Sequence, residues 1–324
     1  TSGNLFIKII IFSIPLILSG VLQLLYNASD LIVIGKFGSD QSLAAIGNTG
    51  ALINLIVNVF MGLSVGANIT LAKAIGAKDK DKANRIVQSS MLLALFSGIF
   101  LAIFGFFLSR TFLEWMMTPD DVIELSTLYI QIYFIGMPGN LLYNFGAAIL
   151  RAKGDTKRPL IFLTIAGLIN VCLNLFFVIV LHLDVIGVAL ATIISQLISA
   201  ILVIWCLIKD QGYARLNVKG ARVYLTEALQ IARIGLPAGI QGSIFSISNV
   251  LIQSSVNSFG SVVMSGNAAS QNLEGFTYTA MNSMYHAALS FTGQNIGAKK
   301  PQNITKIFGS CLILVCCIGI IMGG

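Results

Sequence analysis

The sequence predicts an all-α integral membrane protein built from two helical bundles related by a parallel repeat. Three observations predict it. Apolar blocks long enough to cross a hydrocarbon core follow one another along the chain. Basic residues alternate between many and few in the segments joining those blocks. A set of residues also recurs about 222 positions later. Hydrophobic residues make up 56% of the 324 and charged residues 10%, with a mean hydropathy of +0.87. A soluble domain of this size needs a far more polar surface.

Nine blocks reach or approach the roughly 20 helical residues needed to span a bilayer: Ile9–Gly35, Leu43–Leu71, Ile86–Leu108, Leu128–Leu150, Leu160–Leu181, Val185–Ile208, Ile234–Val256, Gly266–Phe291 and Ile307–Met322. Their apolar period is helical, and each is longer than a barrel strand of about 10 residues. The joining segments orient them. Lys8, the cluster Lys73 to Arg85, the cluster Arg151 to Arg158, the cluster Lys209 to Arg233, and Lys299, Lys300 and Lys306 fall on one side; Lys36 and Arg110 fall on the other. The side holding 18 of the 20 basic residues is expected to be cytoplasmic, with the N-terminus inside and the protein multi-pass in the cell's inner (plasma) membrane. The net charge of +7 is thus a topology signal, and no nucleic-acid partner is expected. Cys172, Cys206, Cys311, Cys316 and Cys317 lie within apolar blocks without zinc-like spacing, and are expected to be small buried hydrophobes rather than metal ligands.

The repeat organises the blocks. Pro15, Gly20, Asn27, Phe37, Gly38 and Ser39 recur as Pro237, Gly242, Asn249, Phe259, Gly260 and Ser261, and Ile75-Gly76-Ala77-Lys78 recurs as Ile296-Gly297-Ala298-Lys299. Six blocks separate the copies, so both enter the membrane from the same side, a duplication characteristic of secondary transporters. The expected domains are an N-lobe of six helices over 1–210, a basic linker over 211–233, and a partial C-lobe of three helices over 234–324. In the linker, Leu225, Leu229 and Ala232 share a helical face, which suggests an in-plane helix on anionic headgroups; its first half reads equally as a solvated loop. Six helices against three predict a chain truncated at its C-terminal end by about three helices.

Of thirteen acidic residues, eleven fall in loops or at helix ends; Asp30 and Glu274 are the exceptions. A carboxylate within a spanning helix costs about 3 kcal/mol on insertion scales and has to face protein or water. Stepping back from Asp30 by three or four residues gives Asn27 or Tyr26, then Gln23, then Ser19, a polar stripe ending near Gly20 and Pro15, where a missing backbone hydrogen bond can bend the helix. Such an acid can exchange a proton or a sodium ion for a substrate; the alternative is a structural Asp satisfied by neighbouring Asn side chains. Glu274, with Tyr278, Asn282 and His286 near its face, supports the same reading or a polar helix–helix contact. The pairs Asn54 and Asn58, Asn140 and Asn144, and Asn170 and Asn174 are spaced by four, and Thr192, Ser195, Gln196 and Ser199 follow. Each can be interhelical glue; together they predict a hydrated cavity into which Asp30 projects. No HExxH, Walker loop or nucleophile elbow occurs, so neither an enzyme nor an ATP-driven pump is expected.

With repeat, topology and acids in place, the chain resembles the multidrug and toxic compound extrusion (MATE) family. Arg151-Ala152-Lys153-Gly154-Asp155-Thr156-Lys157-Arg158-Pro159 is similar to that family's R-x-x-G-D-T-x-x-P connection. The run Pro15 to Gly38, with Tyr26-Asn27-Ala28-Ser29-Asp30, fits its first helix, and Ile234-Gly235-Leu236-Pro237 the start of its seventh. The resemblance covers essentially the whole chain and is nearest the DinF- or MepA-like branch. It implies two bundles forming a V, efflux of amphipathic and often cationic compounds against an inward H⁺ or Na⁺ gradient, Asp30 as the lobe-one coupling acid, and a bend at Pro15. Where some members carry an acid in the fifth helix this chain has Asn174, and where sodium-driven NorM members carry one in the seventh it has Phe245 and Ser246.

The expectation is a monomeric antiporter of small amphipathic molecules, embedded in the lipid bilayer and needing no cofactor beyond the coupling ion, H⁺ or Na⁺. Asp30 and Glu274 are its expected ion-coupling residues, and Gln23, Tyr26, Asn27, Asn140, Asn144, Asn170, Asn174 and Tyr278 its expected cavity lining. A lipid-linked oligosaccharide flippase of the same superfamily is the alternative in transport, and a non-transporting membrane sensor the alternative outside it. The flippase ranks second because no Lys or Arg is expected within a helix core.

Overall fold

The computed structural model describes the backbone of residues 3–323 except 117, 119, 219, 221 and 258–260, and the corresponding side chains except those of 40, 48, 51, 250, 251, 253–257, 261–273, 322 and 323. All regular structure among the described residues is helical: α1 (Leu5–Phe37), α2 (Asp40–Gly76), α3 (Lys80–Trp115), α4 (Asp120–Ile135), α5 (Met137–Lys153), α6 (Lys157–Leu175), α7 (Asp184–Lys209), α8 (Leu225–Asn257), α9 (Ser261–Gly297) and α10 (Gln302–Gly323). Among the described residues, six helices are long and apolar enough to cross a membrane by length and composition: α1, most of α2, α3, α6 with the turn after it, α7 and α10. Of the other three expected spans, α8 and α9 have 33 and 37 residues. The fourth is broken into α4 and α5 at Gly136, because Pro138 in the first turn of α5 has no N–H to continue the ladder.

Helix starts follow local chemistry. The Asn4 side chain accepts from Phe6 N at 3.1 Å and Ile7 N at 3.4 Å, and Asp79 accepts from Lys82 N at 2.9 Å, each satisfying an orphan donor of a first turn. The motif after α5 works the same way. Gly154 closes α5 at φ +99°, a left-handed conformation costly for other residues. Asp155 then accepts from Arg158 N at 3.1 Å and pairs with its guanidinium at 3.2 Å, turning the chain into α6.

The repeat is visible in three dimensions. Pro15 and Pro237 both lie inside long helices, α1 and α8, and Lys78 and Lys299 both adopt positive φ, 58° and 55°, after α2 and α9. The ends of α2 and α9 cross reciprocally. A Cβ at Gly76 would lie 2.0 Å from Gln294 O, and one at Gly297 would lie 2.0 Å from Lys73 O. Further along α2, Gly62 and Gly66 meet Gly239, Gly235 and Ile231 of α8 with the same closeness, the small-residue packing by which helices approach in lipid. The lobes therefore touch tightly at the face carrying Lys78 and Lys299, here called the basic face.

Two boundaries differ from expectation. The basic-face half of α1 does not belong to the N-lobe core: Leu5, Ile9, Phe12 and Leu16 cluster with Ala287, Ile307 and Cys311 of α9 and α10, and Phe12 meets Phe291 edge-on at 5.4 Å. Among its described residues the linker holds no separate helix, because Leu225, Leu229 and Ala232 are already in the first turns of α8, which runs unbroken to Asn257. Its first half is anchored at a few points, while Gln211, Arg215, Asn217 and Val218 are exposed. Asp210 pairs with Lys153 and accepts from Ala214 N, and Ala214 and Leu216 are buried. Of the five cysteines expected inside, Cys206 and Cys311 are buried, whereas Cys172, Cys316 and Cys317 are exposed; the apolar surface of a spanning helix is where a bilayer would cover them.

Candidate functional site

Asp30 is the buried acid of the first lobe, 9% exposed. Its carboxylate accepts from Asn174 Nδ2 of α6 and, at 3.5 Å, from the Thr192 hydroxyl of α7. Asn174 Nδ2 also faces Asn170 Oδ1 at 3.2 Å, and Asn170 Nδ2 faces Thr192 Oγ1 at 3.5 Å. The Thr192 proton has a better acceptor in Val188 O, 3.0 Å away, so Asn174 is the principal donor to the acid. Among the described residues no cation forms an ion pair with Asp30.

Helical spacing assembles the surroundings. Residues three and four apart share a face, so α1 presents Gln23, Tyr26, Asn27 and Asp30 together, α5 presents Asn140 and Asn144, and α7 presents Thr192, Ser195, Gln196 and Ser199. With Asn170 they line one cavity of about 210 Å³. Asn174 lies behind Asp30, fully buried, directly before a turn of π-helix over Phe176–Val180. Tyr26 seats its ring against Gly167, where a Cβ would come within 1.6 Å of Cζ, and its hydroxyl donates to Leu163 O at 3.3 Å. Five lining residues escaped sequence reasoning: Tyr133, Tyr143, Leu163, Ala166 and Gly167. For Tyr143 the signal was Asn140, three positions before it on α5; Tyr133, on α4, had none.

A second chamber of about 430 Å³ adjoins the first toward the basic face, between the lobes, and shares Gln23, Asn27, Tyr143 and Asn144 with it. Its wall includes Ser19 and Gly20 of α1, Asn58 of α2, and Asn282 and His286 of α9. It also includes Arg151, which corrects the expectation that no basic side chain enters a helix core. The α5 helix runs to Lys153, one turn further than the apolar block, and carries Arg151 inward.

The remaining expected residues sit elsewhere. Glu274 is exposed on α9 and outside both chambers. Tyr278 is 54% exposed and stacks on Phe245 at 6.2 Å. Pro15 lies inside α1, which is continuous from Leu5 to Phe37, and its carbonyl accepts from the Ser19 hydroxyl at 2.8 Å.

Comparison with known proteins agrees with this architecture. The probable multidrug resistance protein YpnP of Bacillus subtilis is 30% identical over 304 residues, 94% of this chain and 68% of its own length. The multidrug export protein MepA of Staphylococcus haemolyticus is 21% identical over 97% of this chain and 72% of its own. The fold superposes with a TM-score of 0.91 on a solved outward-facing conformation of a multidrug resistance MATE family transporter of the MOP superfamily, 23% identical, covering 98% of this chain and 71% of that one. The MatE family model matches residues 15–176 and 237–323, two segments that open on the equivalent prolines of the repeat. The chain therefore belongs to the MatE family of multi-pass membrane transporters.

Proposed function

We propose that this protein is a secondary antiporter that exports amphipathic, cationic small molecules in exchange for H⁺ or Na⁺, by alternating access between its lobes. Asp30 is the coupling carboxylate. One observation carries the reading: Asp30 is buried in a spanning helix, held by neutral Asn174 and Thr192 instead of a cation, and lines a polar cavity. A carboxylate placed so, at a cost of about 3 kcal/mol on insertion scales, keeps its charge available to a proton, a sodium ion or a cationic substrate. Tyr26, Tyr133 and Tyr143 around the cavity suit lipophilic cations. The names of the relatives, a probable multidrug resistance protein and a multidrug export protein, favour drug-like cargo. The protein acts as a monomer in the plasma membrane, its basic face cytoplasmic as the positive-inside rule requires.

Asp30→Asn should abolish ion-driven efflux while leaving expression and membrane insertion intact, measured as dye accumulation in cells and as gradient-driven uptake in proteoliposomes. Normal transport by that variant would remove Asp30 as the coupling residue. Collapsing the sodium and proton gradients separately identifies the ion. Arg151 is the one feature that favours the lipid-linked oligosaccharide flippase, whose pyrophosphate needs cations. A single guanidinium beside an acid-lined cavity fits small-molecule antiport better.

A further inference from the structure

The inner chamber has the opposite electrical character to the cavity around Asp30. Arg151 is the only charged side chain lining it among the described residues, and its Nε is buried with no hydrogen-bond partner. Guanidinium is always protonated and carries donors only. Burying it unpaired is costly, since removing a charge from water is offset only by good partners.

Its neighbours provide none. Arg85, Lys153 and Arg158 pair with Glu227, Asp210 and Asp155, but no carboxylate among the described residues pairs with Arg151. Part of the chamber's neutral lining is already committed. The hydroxyls of Ser19, Ser64, Tyr143 and Ser283 donate to backbone carbonyls, and Asn58 Nδ2 donates to Ser246. What sets the guanidinium apart is its charge together with an unpartnered Nε, and its planar fork matches a carboxylate or phosphate. The C-terminal end of α5 eases a cation there, but supplies Nε with no acceptor.

We propose that Arg151 forms a site in the inner chamber for an anionic group, carboxylate or phosphate, carried by the transported molecule. The preferred cargo is then a zwitterionic amphipath, its cation toward Asp30 and its anion toward Arg151, lying along the wall of Gln23, Asn27, Tyr143 and Asn144 that the two chambers share. This rests on the transport reading above and narrows its substrate class.

The test uses the whole protein in phosphatidylcholine nanodiscs and two probes, a rhodamine with a free benzoate and its methyl ester, with affinity read by fluorescence polarisation. Wild type should bind the free acid about tenfold tighter than the ester, the equivalent of one charge-assisted hydrogen bond. Arg151→Gln should erase that preference by weakening the acid alone, and Arg151→Lys should keep part of it. Equal affinities in wild type, which require no variant to fold, would overturn the proposal, as would an undiminished preference in Arg151→Gln. Adding phosphatidylglycerol separates the sources of the anion. If that lipid alone removes the preference, and native mass spectrometry finds it retained by wild type but not by Arg151→Gln, the site belongs to a headgroup and the proposal falls. Ion-driven efflux is not read here, so a failure of Asp30 as coupling residue and a failure of the Arg151 site remain distinguishable.

Discussion

Asp30 and Asn174 stand 144 positions apart in the chain, and each answers a need of the other. The buried carboxylate requires a donor, and the buried amide requires an acceptor. Asn174→Ala should strand one carboxylate oxygen at a cost of about 1–3 kcal/mol, read as a lower unfolding temperature than wild type in a fixed detergent. No change in that temperature would mean that water already satisfies the acid. The polar stripe on α1 was legible from spacing alone, because i, i+3 and i+4 define a helix face whatever it packs on. That Asn174 rather than Asn144 donates to Asp30 was not legible, since the choice depends on how α6 rotates against α1. Arg151 was misread for a related reason. Its place at the end of an apolar block and the start of a basic cluster suited a loop, whereas one further turn of α5 turned it inward.

Among elements, the crossing of α2 and α8 rests on glycines. A Cβ at Gly239 would lie 2.3 Å from Val59 O, and backbone cannot yield as a flexible side chain can. Gly239→Val should therefore force the seam apart at the basic face. With the native cysteines replaced, a cysteine introduced at Ser64, 3% exposed in the inner chamber wall, should then react with an impermeant maleimide applied to the basic face. The expected rate is about tenfold faster than without Gly239→Val, if the clash costs about 1.4 kcal/mol. An unchanged rate would show that the seam tolerates the added bulk. Most spans were legible because lipid demands long apolar helices. The break at Gly136 was signalled by Pro138, which the apolar run Leu128–Leu150 disguised. The merger of the linker's apolar face into α8 carried no signal, since an in-plane helix and the first turns of a long one share the same period.

Across the whole molecule, Arg85 of α3 meets Glu227 of α8 at 2.8 Å, an ion pair that ties the first lobe to the second at the basic face. Glu227 is the buried partner, its side chain 7% exposed against 41% for Arg85, and it lies in the first turn of α8, where the helix dipole favours a carboxylate. Arg85→Glu should loosen the closed basic face by about 1 kcal/mol. The double exchange with Glu227→Arg should restore only part of this, because an arginine opposes the dipole. A double-mutant cycle on unfolding temperature measures the coupling, and additive single effects would show that the pair does not hold the lobes together. Alternating access would have to break this contact and the glycine seam while leaving each bundle whole, and α1, shared between both cores, is the element that has to flex.

Sequence alone determined the class of the protein: membrane-embedded, helical, duplicated, with an acid in the first span that has to avoid lipid. These follow from the bilayer as a solvent, which acts on composition, length and period and so leaves its mark residue by residue. Tertiary structure decided which side chains share a space. It separated Glu274 and Tyr278 from the Asp30 cavity, divided α1 between two cores and placed Arg151 in the inner chamber. Rotation and register of packed helices set those relations, and they depend on contacts between residues that are far apart in the chain.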